Sequence, residues 1–390
     1  MKNNNSLSKI LFFLAYGLWV SAYLLGYTMY PLTYTFIGSI ATMLTWVSTG
    51  ILFVKIVIDR YFSYRTILLT IIIVVLLTIV GYSSGQLPKM LFFGLILVGS
   101  KNINLKKVLK IHAYLLIGTL VITYLGVKLD IIQNISHVGR GGEFIRKYVG
   151  FRFTTFGANT IFHLICIWGY VKGKLIKYWE ILLLAIINYY YYTQTDTKSA
   201  YYLAMVYLAL ILVIKVFRIE KLPKLIVSII EQWSIPVVAL ASILLTQAYA
   251  QRNSFNIALN ELLTGRLYLG LKAIRNYGIS LFGNNIVWNT YDLYGRAQGE
   301  YLYVDASFLN ILLQFGILFL ITLIFSYWML SKRNPYSNIY YSISFFVVVV
   351  HSMWDPQFLE LWFNPFLLFI SVLVSQSSED MEIARLESYT

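Results

Sequence analysis

Apolar runs recur along this chain from one end to the other, each bounded by a short polar or basic stretch. A membrane-crossing helix needs about 20 apolar residues, fewer where it is short or packed inside protein. On that scale the pattern predicts twelve crossings, at about 9–27, 34–57, 66–82, 88–100, 109–127, 157–171, 179–194, 199–215, 226–249, 305–330, 337–353 and 359–375. Lys2 and Lys9 precede the first run as in a signal peptide, but eleven further runs follow, so an uncleaved first helix is expected. No fixed-period repeat is visible. The fold class this predicts is an all-α polytopic membrane protein, one integral domain over 1–390 with about 12 transmembrane helices.

Lysine and arginine orient such a bundle. With the N-terminus in the cytoplasm, every inner segment is basic: Lys55, Arg60 and Arg65; Lys101, Lys106, Lys107 and Lys110; Lys172, Lys174 and Lys177; Lys215, Arg218, Lys221 and Lys224; Lys332 and Arg333. Twelve crossings then return the tail 376–390, with Arg385, to the same side. Two outer segments are basic as well. The loop 128–156 carries Arg140, Arg146, Lys147 and Arg152, and the large loop 250–304 carries Arg252, Arg266, Lys272, Arg275 and Arg296. Solvated loops are the plain reading, since long outer segments escape the charge bias. The sharper reading is an anionic substrate, because guanidinium forks bind phosphate through paired hydrogen bonds. Within 250–304, Leu263, Leu267, Leu271 and Ile274 recur at helical spacing. They predict an amphipathic helix between Leu262 and Ile279 lying on the membrane surface, ended by Gly278 and Gly283.

Composition narrows the chemistry. Hydrophobic residues make up 58% and charged residues 12%, against about 25% charged in soluble proteins. So few charges cannot cover a water-facing surface, which excludes a soluble enzyme. The net charge of +14 is accounted for by basic inner loops, and no nucleic-acid partner is expected. Cys166 is the sole cysteine, and His112, His137, His163 and His351 have no metal-ligand spacing. There is no P-loop, GxGxxG or HExxH pattern, so neither metal nor cofactor is expected. The 32 tyrosines, with Tyr189 to Tyr192 in one run, fit either interfacial belts or sugar-stacking surfaces.

Three segments carry a resemblance. They are Arg152 to Asn159 (RFTTFGAN), Thr264-Gly265-Arg266 followed by Leu281-Phe282-Gly283, and Val304 to Gly316 (VDASFLNILLQFG). In this order they resemble motifs of the Wzy-type O-antigen and capsular polysaccharide polymerases, relatives of the O-antigen ligases. The resemblance covers roughly 150–320, with the twelve-crossing layout extending it to the whole chain. It implies a fold distantly similar to the C-type membrane glycosyltransferases, in a bacterial cytoplasmic membrane with the active site outside. It also implies an activity: the growing glycan passes from undecaprenyl pyrophosphate onto the terminal sugar of a new lipid-linked repeat unit, and undecaprenyl pyrophosphate is released. The implied partners are those lipid-linked oligosaccharides and the bilayer, with a chain-length regulator as a further partner to look for. Neither a nucleotide sugar nor an obligatory metal is implied.

The chemistry assigns roles. A departing pyrophosphate accumulates negative charge, which guanidinium groups must stabilise where no metal does. Arg266 and Arg152 match the motifs; Arg140, Arg146, Arg275 and Arg296 are second-rank candidates. The acceptor hydroxyl needs a proton acceptor. Asp305 stands where the ligase relatives commonly carry histidine, and it is the candidate base or acceptor-positioning group. A helix N-cap or first-turn acid is its plain alternative. Glu143, Asp292 and Glu300 are substitute bases, read otherwise as solvated loop acids. His351 and Asp355 lie near the outer end of the eleventh run, where polar groups are costly and often functional; an interfacial anchor with Trp354 explains them nearly as well. His163 and Asn188 lie within crossings and either line a cavity or, the favoured reading, make interhelical hydrogen bonds. Gly139, Gly141 and Gly142 are expected to form a hinge beside Arg140, with a backbone phosphate nest as the second reading. Two other activities compete: an O-antigen or teichoic-type ligase, and a twelve-span transporter or lipid-oligosaccharide flippase. Asp305 in place of histidine speaks against the first. Polarity gathered in one outer loop rather than at midplane speaks against the second.

Overall fold

An apolar run in a membrane must close its own backbone hydrogen bonds, and helices do so most simply. The structure is a computed structural model describing residues 2–59, 64–138, 144–294 and 296–374. Arg140, Glu143 and the tail 376–390 lie outside the described residues. The chain opens with α1 (Lys2–Gly26), a one-turn α2 (Tyr30–Thr33), α3 (Thr35–Ile58), α4 (Tyr64–Ser83), α5 (Leu87–Gly99) and α6 (Leu105–Lys128). An antiparallel hairpin of β1 (Ser136–Val138) and β2 (Ile145–Lys147) precedes α7 (Thr154–Lys172), α8 (Tyr178–Thr195) and α9 (Lys198–Val216). Next, α10 (Lys224–Ser228) runs through a π turn into α11 (Ser234–Ala248), followed by α12 (Ser254–Leu262) and α13 (Arg266–Tyr277). A second hairpin, β3 (Asn289–Tyr291) with β4 (Ala297–Leu302), leads into α14 (Ser307–Ser331) and α15 (Ile339–His351). The π turn at Ile229–Trp233 has a local cause: Pro236 lacks the N–H that would reach back one turn, and its ring crowds that carbonyl.

Six helical segments among the described residues are long and apolar enough to cross a membrane: Ser6–Gly26, Thr35–Ile58, Leu105–Lys128, Lys198–Val216, Lys224–Gln251 and Ser307–Ser331. Large apolar side chains such as Phe53, Ile71, Val75, Val237 and Leu244 are exposed along the helices. Contiguous apolar exposure of this kind suits lipid rather than water. The chain is thus a mostly helical membrane protein.

The mostly helical fold agrees with the expected all-α class, with two short hairpins in its loops. Two expectations are corrected. The helix expected between Leu262 and Ile279 is present as α13, ended by Gly278, but starts later: Thr264 (φ 56) and Gly265 (φ 83) turn left-handed, so α12 and α13 meet at a corner immediately before Arg266. The run at 359–375 is not an α-helix. Residues 352–364 form buried turns and Pro365–Leu373 a tight 3-10 helix, because Pro356 and Pro365 each remove a backbone donor.

The interior is built around α7, α15 and the first half of α14 up to Gly316, whose residues are buried on nearly every side. Polar contacts fasten these helices to their neighbours. The Tyr207 hydroxyl of α9 reaches Ser344 Oγ at 2.8 Å and the Cys166 carbonyl at 3.2 Å, packing over Gly169. Tyr16 of α1 bonds His112 of α6 at 2.7 Å, and Asn188 donates to the Tyr201 carbonyl at 3.1 Å. At Gly316 (φ 86, ψ 172) α14 breaks open. The freed amides of Ile317 and Leu318 donate to the carbonyls of Ser280 (3.0 Å) and Leu281 (3.1 Å). In return the carbonyl of Gln314 accepts Asn284 N (3.2 Å) and that of Leu313 accepts Asn284 Nδ2 (3.0 Å). Every donor and acceptor released by the kink named here is met by the loop. Gly283 lies against this break, so the segment 280–284 is locked to α14.

Candidate active site

Each of the three sequence segments contributes a side chain to one polar cluster. The corner at Thr264 and Gly265 starts α13 on Arg266, whose guanidinium Nε donates to Asp305 Oδ2 at 2.9 Å. Asp305 therefore does not cap α14. Its N-cap is Ala306, with no side-chain bond to the helix. The pair is about a third exposed, 31% for Arg266 and 27% for Asp305, so both groups are open to a ligand. Beneath it lies Asp355, buried in the turn after α15. Asn159 Nδ2 of α7 donates to its Oδ2 at 2.7 Å, while Ser307 Oγ donates to its main-chain oxygen at 2.5 Å. Ser307 Oγ also accepts Phe358 N at 3.1 Å, pinning the turn from both sides.

Burial and the neighbouring negative charge of Asp305 push the Asp355 carboxyl up to about 8, with Asn159 and Arg266 offsetting part of the rise. At neutral pH it is mostly protonated and spares the cluster a second carboxylate charge. Because the folded protein holds this proton more tightly than the unfolded chain, stability contributed by Asp355 falls as pH climbs from about 4 towards about 8. The melting temperature in detergent is expected to drop between about pH 4 and about pH 8, and Asp355→Asn should flatten part of that drop. Parallel curves for the two proteins would mean that Asp355 is already ionised when folded.

His351 is buried beside the cluster, stacked on Phe162 with centroids 4.1 Å apart and edge-on to His163 at 5.8 Å. It lies within the field of Arg266, and its Nε2 has no partner. His351 and Asp355 are thus both buried inside the protein. His163 faces Gln357 without a well-formed hydrogen bond, contrary to the bond expected for it.

Arg152 approaches from the first loop. A short antiparallel pairing holds it: Arg152 N donates to the Tyr27 carbonyl at 2.9 Å, and Met29 N to the Gly150 carbonyl at 2.8 Å. Its guanidinium is half-buried, Nε has no partner, and burial lowers its affinity for the proton. The Tyr27 phenol lies near Arg152, Glu360 and Tyr303, and the Tyr303 phenol near Asp305 and Asp355.

The remaining sequence candidates are engaged elsewhere. Arg146 Nε donates to the Thr195 carbonyl at 2.7 Å, a cation on the C-terminal end of α8. Arg296 pairs with Asp292 in the β3–β4 turn at 3.1 Å. Arg275 is exposed in the last turn of α13. Glu300 is ion-paired with Lys272. Tyr192 stacks on Tyr201 at 4.2 Å. Among the described residues no cluster of His, Cys, Asp and Glu could hold a metal ion.

Two charged residues were hidden by the hydropathy pattern. Lys89 Nζ, at the start of α5, pairs with Glu360 Oε1 of the 352–364 turn at 2.8 Å. Their signal was an acid inside the apolar stretch Phe358 to Phe363 and a lysine at the head of another, each costly unless partnered. No protein-family model, curated protein or solved structure matches this chain.

Proposed function

We propose that this protein is a membrane glycosyltransferase of the polysaccharide-polymerase type. It moves a growing glycan from undecaprenyl pyrophosphate onto the terminal sugar of a new lipid-linked repeat unit. The observation that carries this reading is the ion pair between Arg266 and Asp305, which joins two of the three motif segments, with Asn159 of the third beneath it through Asp355. The reading includes twelve crossings in a bacterial cytoplasmic membrane, both termini inside, and the loops 128–156 and 250–304 outside. That topology puts Arg152, Arg266 and Asp305 on one outer face.

The chemistry follows from the pair. An incoming pyrophosphate competes for the Arg266 guanidinium, with Arg152 as the second fork, and releases Asp305. The acceptor hydroxyl oxygen then attacks the donor's anomeric carbon and passes its proton to Asp305. The bond from that carbon to the phosphate oxygen breaks, and its electron pair leaves with undecaprenyl pyrophosphate. The arginines meet charge where it develops, the largest single contribution in most such reactions. Purified protein incubated with a lipid-linked repeat unit should give a ladder of products on a gel, and Arg152→Ala should leave only the starting unit. Transfer of one block to a different acceptor would indicate a ligase, and no covalent product a transporter.

A further inference from the structure

A cavity of about 170 Å³ opens beside the cluster, sharing Ser307 as part of its wall. That is more than ten times the roughly 10–15 Å³ that one water needs. Its lining is polar and comes from separate parts of the chain: Gln86, Lys89, Trp288, Tyr303, Gln314 and Glu360. Among the described residues, none hydrogen-bonds the side-chain amides of Gln86 or Gln314, the indole N–H of Trp288 or the Tyr303 phenol. Glu360 Oε2 is buried with no partner, although Oε1 takes the Lys89 ammonium. A buried carboxylate oxygen with unmet capacity, in a cavity lined by polar groups that no described residue engages, asks for a ligand of matching chemistry.

The lining specifies that chemistry. Trp288 and Tyr303 lie edge to face at 5.4 Å and give the cavity an aromatic wall. Two amides, an ammonium and a carboxylate supply donors and acceptors in several directions. Lys89 and Glu360 neutralise one another, so the cavity offers no net charge to attract an anion. An aromatic face with mixed donors and acceptors at zero net charge fits a neutral pyranose ring, apolar on its C–H face and hydroxylated around its rim.

We infer that this cavity is a sugar subsite for an uncharged pyranose of the lipid-linked glycan, with Trp288 as its platform and Glu360 as its hydroxyl-reading acceptor. The assignment rests on the glycosyltransferase reading for its source of sugar, but on the cavity alone for its chemistry. Occupation would bring the ring beside Ser307, and so next to the turn that carries Asp355.

The test is saturation-transfer NMR on the full chain in nanodiscs, with methyl glucoside, methyl galactoside, methyl rhamnoside and methyl N-acetylglucosaminide as probes. Inorganic pyrophosphate, followed by phosphorus NMR, is the parallel probe. Wild type should transfer saturation to at least one glycoside. Trp288→Ala and Glu360→Gln should weaken that binding about tenfold or more and leave pyrophosphate binding as it is. Trp288→Phe, which keeps an aromatic face, should retain most of it. Unchanged glycoside binding in Trp288→Ala and Glu360→Gln, or no glycoside binding by wild type, overturns the assignment. Glycoside binding lost in those variants, by a wild type that never elongates a lipid-linked repeat unit, supports the subsite while removing the polymerase reading.

Discussion

Arg266→Ala should abolish glycan elongation in a protein that still folds and inserts. The magnitudes separate the two roles. A partly exposed ion pair such as Arg266–Asp305, at 31% and 27% exposure, contributes about 0–1 kcal/mol to stability. Removing a donor aimed at developing charge costs about 100- to 1,000-fold in rate. Asp305→Asn should likewise keep the fold and carrier binding but lose transfer, since an amide cannot take the acceptor's proton. The exchanged variant, Arg266→Asp with Asp305→Arg, distinguishes pairing from chemistry. It should recover the small stability loss and none of the activity. Elongation at wild-type rate in the exchanged protein would reduce the pair to a structural contact.

Gly316→Val and Gly283→Val should prevent correct assembly. Both glycines have left-handed φ, +86 for Gly316 and +94 for Gly283. A side chain in such backbone costs about 1–3 kcal/mol. A Cβ at Gly283 would overlap the backbone carbonyl of Gln314, and one at Gly316 would overlap the backbone of Gly283 and Leu281. Backbone atoms cannot swing aside, so overpacking adds about another 1–3 kcal/mol. Gly17→Ala and Gly118→Ala are the controls, with nothing within 4 Å of the added methyl and no positive φ. Size-exclusion profiles after detergent extraction should show the two valine variants aggregated and the two alanine variants monodisperse. A monodisperse Gly316→Val protein would mean that the loop 280–284 can detach from α14 without harm.

The same pair of glycines shows what was legible in the sequence. Leu281-Phe282-Gly283 and the glycine ending VDASFLNILLQFG stand out as motifs, yet the chain gives no sign that they touch. Their contact depends on a break inside a run that reads as one continuous apolar helix. Hydropathy marks where helices lie because burial of apolar surface is local in sequence. It fails in the run expected from residue 359, where turns and a 3-10 helix over Pro365–Leu373 replace the α-helix while the residues stay apolar and buried. Arg266 and Asp305 are both legible as candidates, but their pairing joins positions 39 apart. Arg146, Arg275 and Arg296 look equivalent to Arg266 on charge alone. Arg146 is held by a helix end and Arg296 by a hairpin turn, neither visible in a one-dimensional pattern. Asn159 falls inside a motif and still passes for a helix-packing residue until Asp355 is found beside it.

The central claim is that guanidinium groups from two separate segments hold one diphosphate. Equilibrium binding of undecaprenyl pyrophosphate to purified protein in nanodiscs measures it directly. Arg266→Ala and Arg152→Ala should each weaken binding about tenfold, the effect of one lost charge-assisted hydrogen-bonding group, and the double variant should bind no better than a nanodisc without protein. Equal affinity for wild type and both single variants would contradict the account.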